Sequence, residues 1–81
     1  QRFQGRVMIH FRTLGLEKET LFAVKEILAA NKGNNDTRLH FISPDNKERV
    51  VTVSDDLRIQ PSDEVIAQIQ SLLGEDAILF E

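Results

Sequence analysis

Arg6-Val7-Met8-Ile9-His10-Phe11-Arg12 alternates along its whole length. Val7, Ile9 and Phe11 share one face, and Met8, His10 and Arg12 share the other. A period of two marks a strand with one face in a core and the other toward solvent. Thr13-Leu14-Gly15 breaks the pattern, and the spacing then changes. Leu21, Val24 and Leu28, flanked by Ile27, recur at intervals of three and four. Residues 16–31 therefore read as an amphipathic helix. Glu17 and Glu19 fall in its first turn, where the helix dipole favours negative charge. Gly33 follows as a candidate C-cap, and Gly33-Asn34-Asn35-Asp36 reads as a loop.

Downstream, residues 37–43 form the next strand, with Leu39 and Phe41 inward. Pro44-Asp45-Asn46-Lys47 is a turn, because Pro presets φ and Asp and Asn accept turn geometry. Residues 48–53 return as a strand with Val51 and Val53 inward, which makes a hairpin. Leu57-Arg58-Ile59 is a short extended piece. The second helix has the clearest limits. Ser62 is its N-cap, Asp63 and Glu64 fill its first turn, and Gly74 stops it. Val65, Ile66, Ile69, Leu72 and Leu73 line one arc of it. Residues 77–80 make a final strand. The fold class is α+β: two helices packed on one face of a mainly antiparallel sheet, in the order β-α-β-β-(β)-α-β. That is the ferredoxin-like arrangement or a near relative.

The 81 residues are enough for one domain spanning 1–81. Cysteine is absent, so a disulfide framework and a thiolate zinc site are both excluded. A reducing, cytoplasmic setting is expected. No apolar run approaches a membrane span, and Gln1-Arg2-Phe3-Gln4-Gly5 lacks the apolar stretch of a leader. The chain begins with Gln rather than Met, so a piece excised from a longer chain is expected. The net charge of −3 makes direct nucleic-acid binding by this domain an unfavoured expectation.

No catalytic, cofactor or metal residue is expected. His10 and His40 both fall on outward strand faces. Were their strands neighbours, the two rings could approach and take a metal. With no third ligand apparent, they read as half-exposed surface histidines. Asp55-Asp56 and Glu75-Asp76 read as solvated loop acids. Gly5-Arg6-Val7 and Phe11-Arg12 are loosely similar to the phosphate cradle of small acylphosphatases. The glycine-containing loop that such a cradle needs is missing, since Val7 to Phe11 is a strand. Phe22, Met8, Ile42 and Leu14 are apolar residues not claimed by an inward face. They matter only if they cluster. The final strand is a second candidate surface, where a partner could add a strand. Phe22, Leu79 and Phe80 are the residues expected to contact a partner.

Leu57-Arg58-Ile59-Gln60-Pro61-Ser62-Asp63-Glu64-Val65-Ile66, then Ile69, then Leu72-Leu73-Gly74, resembles the closing stretch of bacterial DNA polymerase III α subunits of the DnaE type. The strand at Val7 to Phe11, the Leu21…Ile27-Leu28 helix and the Thr37-Arg38-Leu39-His40-Phe41 strand fit the same layout. Asn31-Lys32-Gly33 stands where that family often has His-Pro-Gly. The resemblance covers nearly the whole chain, but its motifs are structural rather than catalytic. It implies a non-catalytic C-terminal module of a DNA-directed DNA polymerase, a nucleotidyltransferase whose catalytic aspartates lie far upstream. It also implies protein contacts in the replisome, with the clamp-loader τ subunit as a partner, and a monomer when isolated. The alternative is an ACT-like small-molecule-binding regulatory domain. That class shares the element order and uses a glycine after its first strand, here Gly15, at a dimer interface.

Overall fold

A computed structural model describes residues 5–81. Residues 1–4, and with them the expectation about a leader, lie outside the described residues. The first strand, β1, covers Arg6–Arg12 and is followed by helix α1 at Lys18–Ala30. Strands β2 at Asp36–Ile42 and β3 at Glu48–Thr52 come next. A 3-10 turn at Asp55–Leu57 leads to helix α2 at Asp63–Leu73, and β4 at Ile78–Phe80 closes the chain. The architecture is the expected α+β one: two helices against a four-stranded mixed sheet of order β3-β2-β1-β4.

The alternation of β1 sets the layers. Val7, Ile9 and Phe11 are completely buried, and Val24 and Leu28 of α1 and Val65 and Ile69 of α2 pack into the same core. Both helices therefore lie on one face. The Phe11 and Phe41 rings stack across β1 and β2 with centroids 4.9 Å apart. Among the described residues, no helix covers the opposite face of the sheet. α2 begins where the sequence placed it, with Ser62 Oγ accepting the Val65 N–H at 3.2 Å. It ends at Gly74, whose φ of 109° suits a residue without Cβ.

Two of the three strand pairings are antiparallel, and the third fixes the topology. β1 and β2 are direct neighbours and parallel, from Arg6↔Asp36 to Arg12↔Ile42. No strand stands between them, so the β1-α1-β2 unit is closed rather than split. This is the near relative, not the interleaved order itself. β4 pairs antiparallel with β1 on the other side, and β3 antiparallel with β2.

Three expectations change. Residues 57–59 are not a fifth strand of the sheet. Leu57 ends the 3-10 turn, and Ile59 makes a lone antiparallel bridge to Lys32. Val51 shares a face with Leu39 but stays 40% exposed, because every residue of β3 is exposed and the helical layer stops short of that edge. Gly33 does not cap α1. Asn31 does, with its backbone N–H donating to Leu28 O. Gly33 instead lies against residues 59 and 60.

The bridge at residues 31–33 is tied by two buried polar residues, Asn35 from the loop that follows and Thr37 from the start of β2. Asn35 Nδ2 donates to Ile59 O at 3.0 Å, and Asn35 Oδ1 accepts from Gly5 N–H at 3.0 Å. Thr37 Oγ1 accepts from Ile59 N–H at 3.2 Å and donates to Asn35 O at 3.0 Å. Buried polar groups cost free energy unless paired, and these are paired. They hold the crossing between the two halves of the chain in one place.

Candidate functional site

The helix-free face of the sheet is built by the second half of each alternation. β1 contributes Arg6, Met8, His10 and Arg12. Their register partners on β2 are Asp36, Arg38, His40 and Ile42. β3 adds Thr52, Val50 and Glu48 beside Arg38, His40 and Ile42. β4 adds Leu79 beside Met8.

One end of this face is an ion-pair row. Asp36 receives Arg38 Nη2 at 3.1 Å and Arg6 Nε at 3.3 Å, and Arg6 Nη1 reaches Glu81 Oε1 at 2.9 Å. The hydrogen bond from Arg38 is the main reason the Asp36 carboxyl lies below its ordinary value. Partial burial opposes the shift, and the charges of both arginines add to it. A carboxylate lowered in the folded state stabilises the fold above its unfolded pKa. That contribution is lost as pH falls through the lowered value. The pairs are partly solvated, so the effect is about 1 kcal/mol or less. Urea midpoints measured from pH 7 down to pH 2 should fall below about pH 4, and Asp36→Asn should flatten that fall. An unchanged profile in the variant would remove the row from the stability account.

The middle of the face holds the histidines. His10 and His40 face each other in register, their ring centroids 4.6 Å apart and their planes tilted by 35°. Glu48 lies beside them from the first position of β3. Its Oε2 is 2.6 Å from His40 Nδ1 and 4.0 Å from His10 Nε2. One ligand atom from each of the three residues lies within 4.8 Å of the others. The remaining nitrogens, His10 Nδ1 and His40 Nε2, are buried without a hydrogen-bond partner. Such a group costs roughly 1–3 kcal/mol. The condition posed by the sequence, neighbouring strands, is met. The third group missing from the linear pattern, and able to complete a ligand set, is Glu48, which the hairpin brings round.

At the far end of the sheet, where β1 runs out and β4 begins, a groove of about 480 Å³ opens. Leu14, Leu72 and Leu79 line it, with Gly15, Gly74 and His10. Of the three residues expected to contact a partner, Phe22 is 62%, Leu79 47% and Phe80 39% exposed. They do not form one surface. Leu79 lines the groove on the open face. Phe80 pairs with Val7 and so turns toward the helical face of the edge strand. Phe22 stands on the outer side of α1. The acids at Asp55 and Asp56 are exposed in the 3-10 turn. Asp56 there accepts from Ser54 Oγ at 2.6 Å and Asp55 lies 3.8 Å from Arg58.

The fold and its faces define a small α+β domain with one covered and one open sheet surface. Comparison of the chain with protein-family models, with curated proteins and with solved structures finds no match. Among the described residues, no helix is long and apolar enough to cross a membrane.

Proposed function

We propose that this chain is a non-catalytic protein-interaction module of the kind that closes bacterial replicative polymerase α subunits, with the clamp-loader τ subunit as its partner in the cytoplasm. The observation that carries this reading is the apolar edge at β4. Leu79 is exposed there beside Leu14 and Leu72 in the terminal groove, and Phe80 is exposed on the other side of the same three-residue strand. A short edge strand with apolar residues on both faces suits strand addition or capture of an apolar segment. The resemblance of residues 57–74 to the end of the polymerase chain supports the choice of parent. The net charge of −3 favours a protein partner over direct contact with phosphates.

The test is calorimetric titration of the 81-residue chain with purified τ subunit. We expect a 1:1 complex, and Leu79→Glu with Phe80→Glu should weaken it at least about tenfold. Both positions are exposed, so the circular dichroism spectrum should not change. Absence of binding sinks the τ assignment. A dimer whose melting temperature rises with a small metabolite would favour the ACT-like regulatory reading instead.

A further inference from the structure

We infer that His10, His40 and Glu48 form a binding site for a borderline divalent transition-metal ion, zinc foremost, that ties three strands together across the open sheet face. Two imidazoles and a carboxylate are the donor set that suits zinc, with a fourth position left for water. The three ligands sit on β1, β2 and β3, and their spacing is set by backbone register rather than by a loop. His10 and His40 are register partners, and Glu48 is the next residue on the same face of β3 after Val50, the partner of His40.

The distances fit one ion after a small adjustment. Zinc bonds of about 2.0–2.1 Å in a tetrahedron place ligand atoms about 3.3 Å apart. The 4.0 Å between His10 Nε2 and Glu48 Oε2 is too long for a hydrogen bond, yet within what two ligands on one ion can span. The 2.6 Å contact between His40 Nδ1 and Glu48 Oε2 would have to open. Glu48 is on an exposed edge and can make that movement without disturbing the core. An ordinary surface ion pair accounts for His40 and Glu48 alone. It does not account for His10, whose Nε2 points at the same carboxylate oxygen yet stops 4.0 Å short of it. A metal draws His10 into the set.

The site also places the ion at an exposed edge of the sheet. Among the described residues, β3 is exposed at every position and its one backbone-paired neighbour in the sheet is β2. A metal bridging Glu48 to His10 links β3 to the central strand directly. Because the ion binds the folded arrangement, it stabilises it by RT ln(1 + c/Kd) at free zinc concentration c, which keeps rising with free zinc after the site is filled.

The experiment uses the chelator-treated 81-residue chain titrated with zinc chloride alone by calorimetry. We expect 1:1 binding with a dissociation constant of about 10 µM or tighter. His10→Asn and Glu48→Gln should each weaken it at least about tenfold. Neither residue contributes to the core, so both variants should keep the wild-type spectrum. In the wild type, zinc should slow amide exchange in β3; in both variants it should not. Cobalt in place of zinc should give visible d–d absorption in the wild type only. Binding of equal strength in wild type and variants, or no binding at all, overturns the site.

Discussion

Phe11→Ala should lower the stability of this domain by about 3–5 kcal/mol, the usual loss for a fully buried phenylalanine. Among the described residues Phe11 is the largest side chain with no solvent exposure, and it stacks on Phe41 at 4.9 Å across the two inner strands. It therefore supports both the helix-facing core and the β1–β2 pairing. A chain of 81 residues is expected to hold only about 4–12 kcal/mol in all. The variant should then unfold at much lower urea, or show no cooperative transition. Far-UV circular dichroism during urea titration reads this directly. His10→Ala, one position away on the open face, should change stability by less than about 1 kcal/mol. A Phe11 loss no larger than the His10 loss would mean that the two faces of β1 have been assigned the wrong way round.

Gly33→Ala should cost about 2–4 kcal/mol, through overpacking and lost backbone hydrogen bonds. An added Cβ would lie 2.6 Å from Ile59 C and from Gln60 Cβ, and would also meet Gln60 N. Ile59 C and Gln60 N are backbone atoms, so no side-chain rotation relieves the clash. The bridge must open instead. Gly33 N–H donates to Arg58 O at 2.8 Å and Gln60 N–H to Asn31 O at 3.1 Å, and both bonds depend on that approach. The alternative role, a left-handed helix cap, makes a different prediction. Asparagine is accepted in such caps, so Gly33→Asn would be nearly harmless there. Close approach makes Gly33→Asn at least as damaging as Gly33→Ala. Thermal melts of the two variants separate the cases. Gly15 provides the contrast, since its φ is 76° and nothing lies within 4 Å of an added Cβ. Gly15→Ala should cost only about 1 kcal/mol of backbone strain.

These two residues also show where the sequence was readable. The faces of β1 followed from alternation alone, and Val7, Ile9 and Phe11 are buried as that pattern requires. The limits of α2 followed from Ser62 and Gly74, because caps act on neighbours within a few residues. The role of Gly33 is not legible, because a close approach between residues far apart in sequence leaves no local mark. The same applies to the bonds of Asn35, which lies in the expected loop but is buried and ties it to Ile59 and Gly5. The run Leu57-Arg58-Ile59 was apolar enough for a strand. Its one bridge goes to Lys32, at the end of a helix, where no sheet exists to extend.

The histidine cluster was half legible. The outward placement of His10 and His40 followed from the alternation. Their proximity depended on strand order, which element order does not determine. In a split arrangement a strand would have separated the rings. Glu48 depended on hairpin register, set by the turn at residues 43–47. Ser43 N–H donates there to Lys47 O, and Asn46 takes a φ of 64°.

The position of β1 between β2 and β4 also bears on how the chain folds. α1, α2 and the β2–β3 hairpin close over short distances and can form early. β1 cannot complete its pairing until the far end of the chain has been brought back beside it, from Val7↔Phe80 to Ile9↔Ile78. That closure carries an entropic cost before any of its contacts form. The rate-limiting event should therefore be a late, non-local one, and the domain should fold more slowly than its size and helix content suggest. The core strand is the first to be made and among the last to be satisfied.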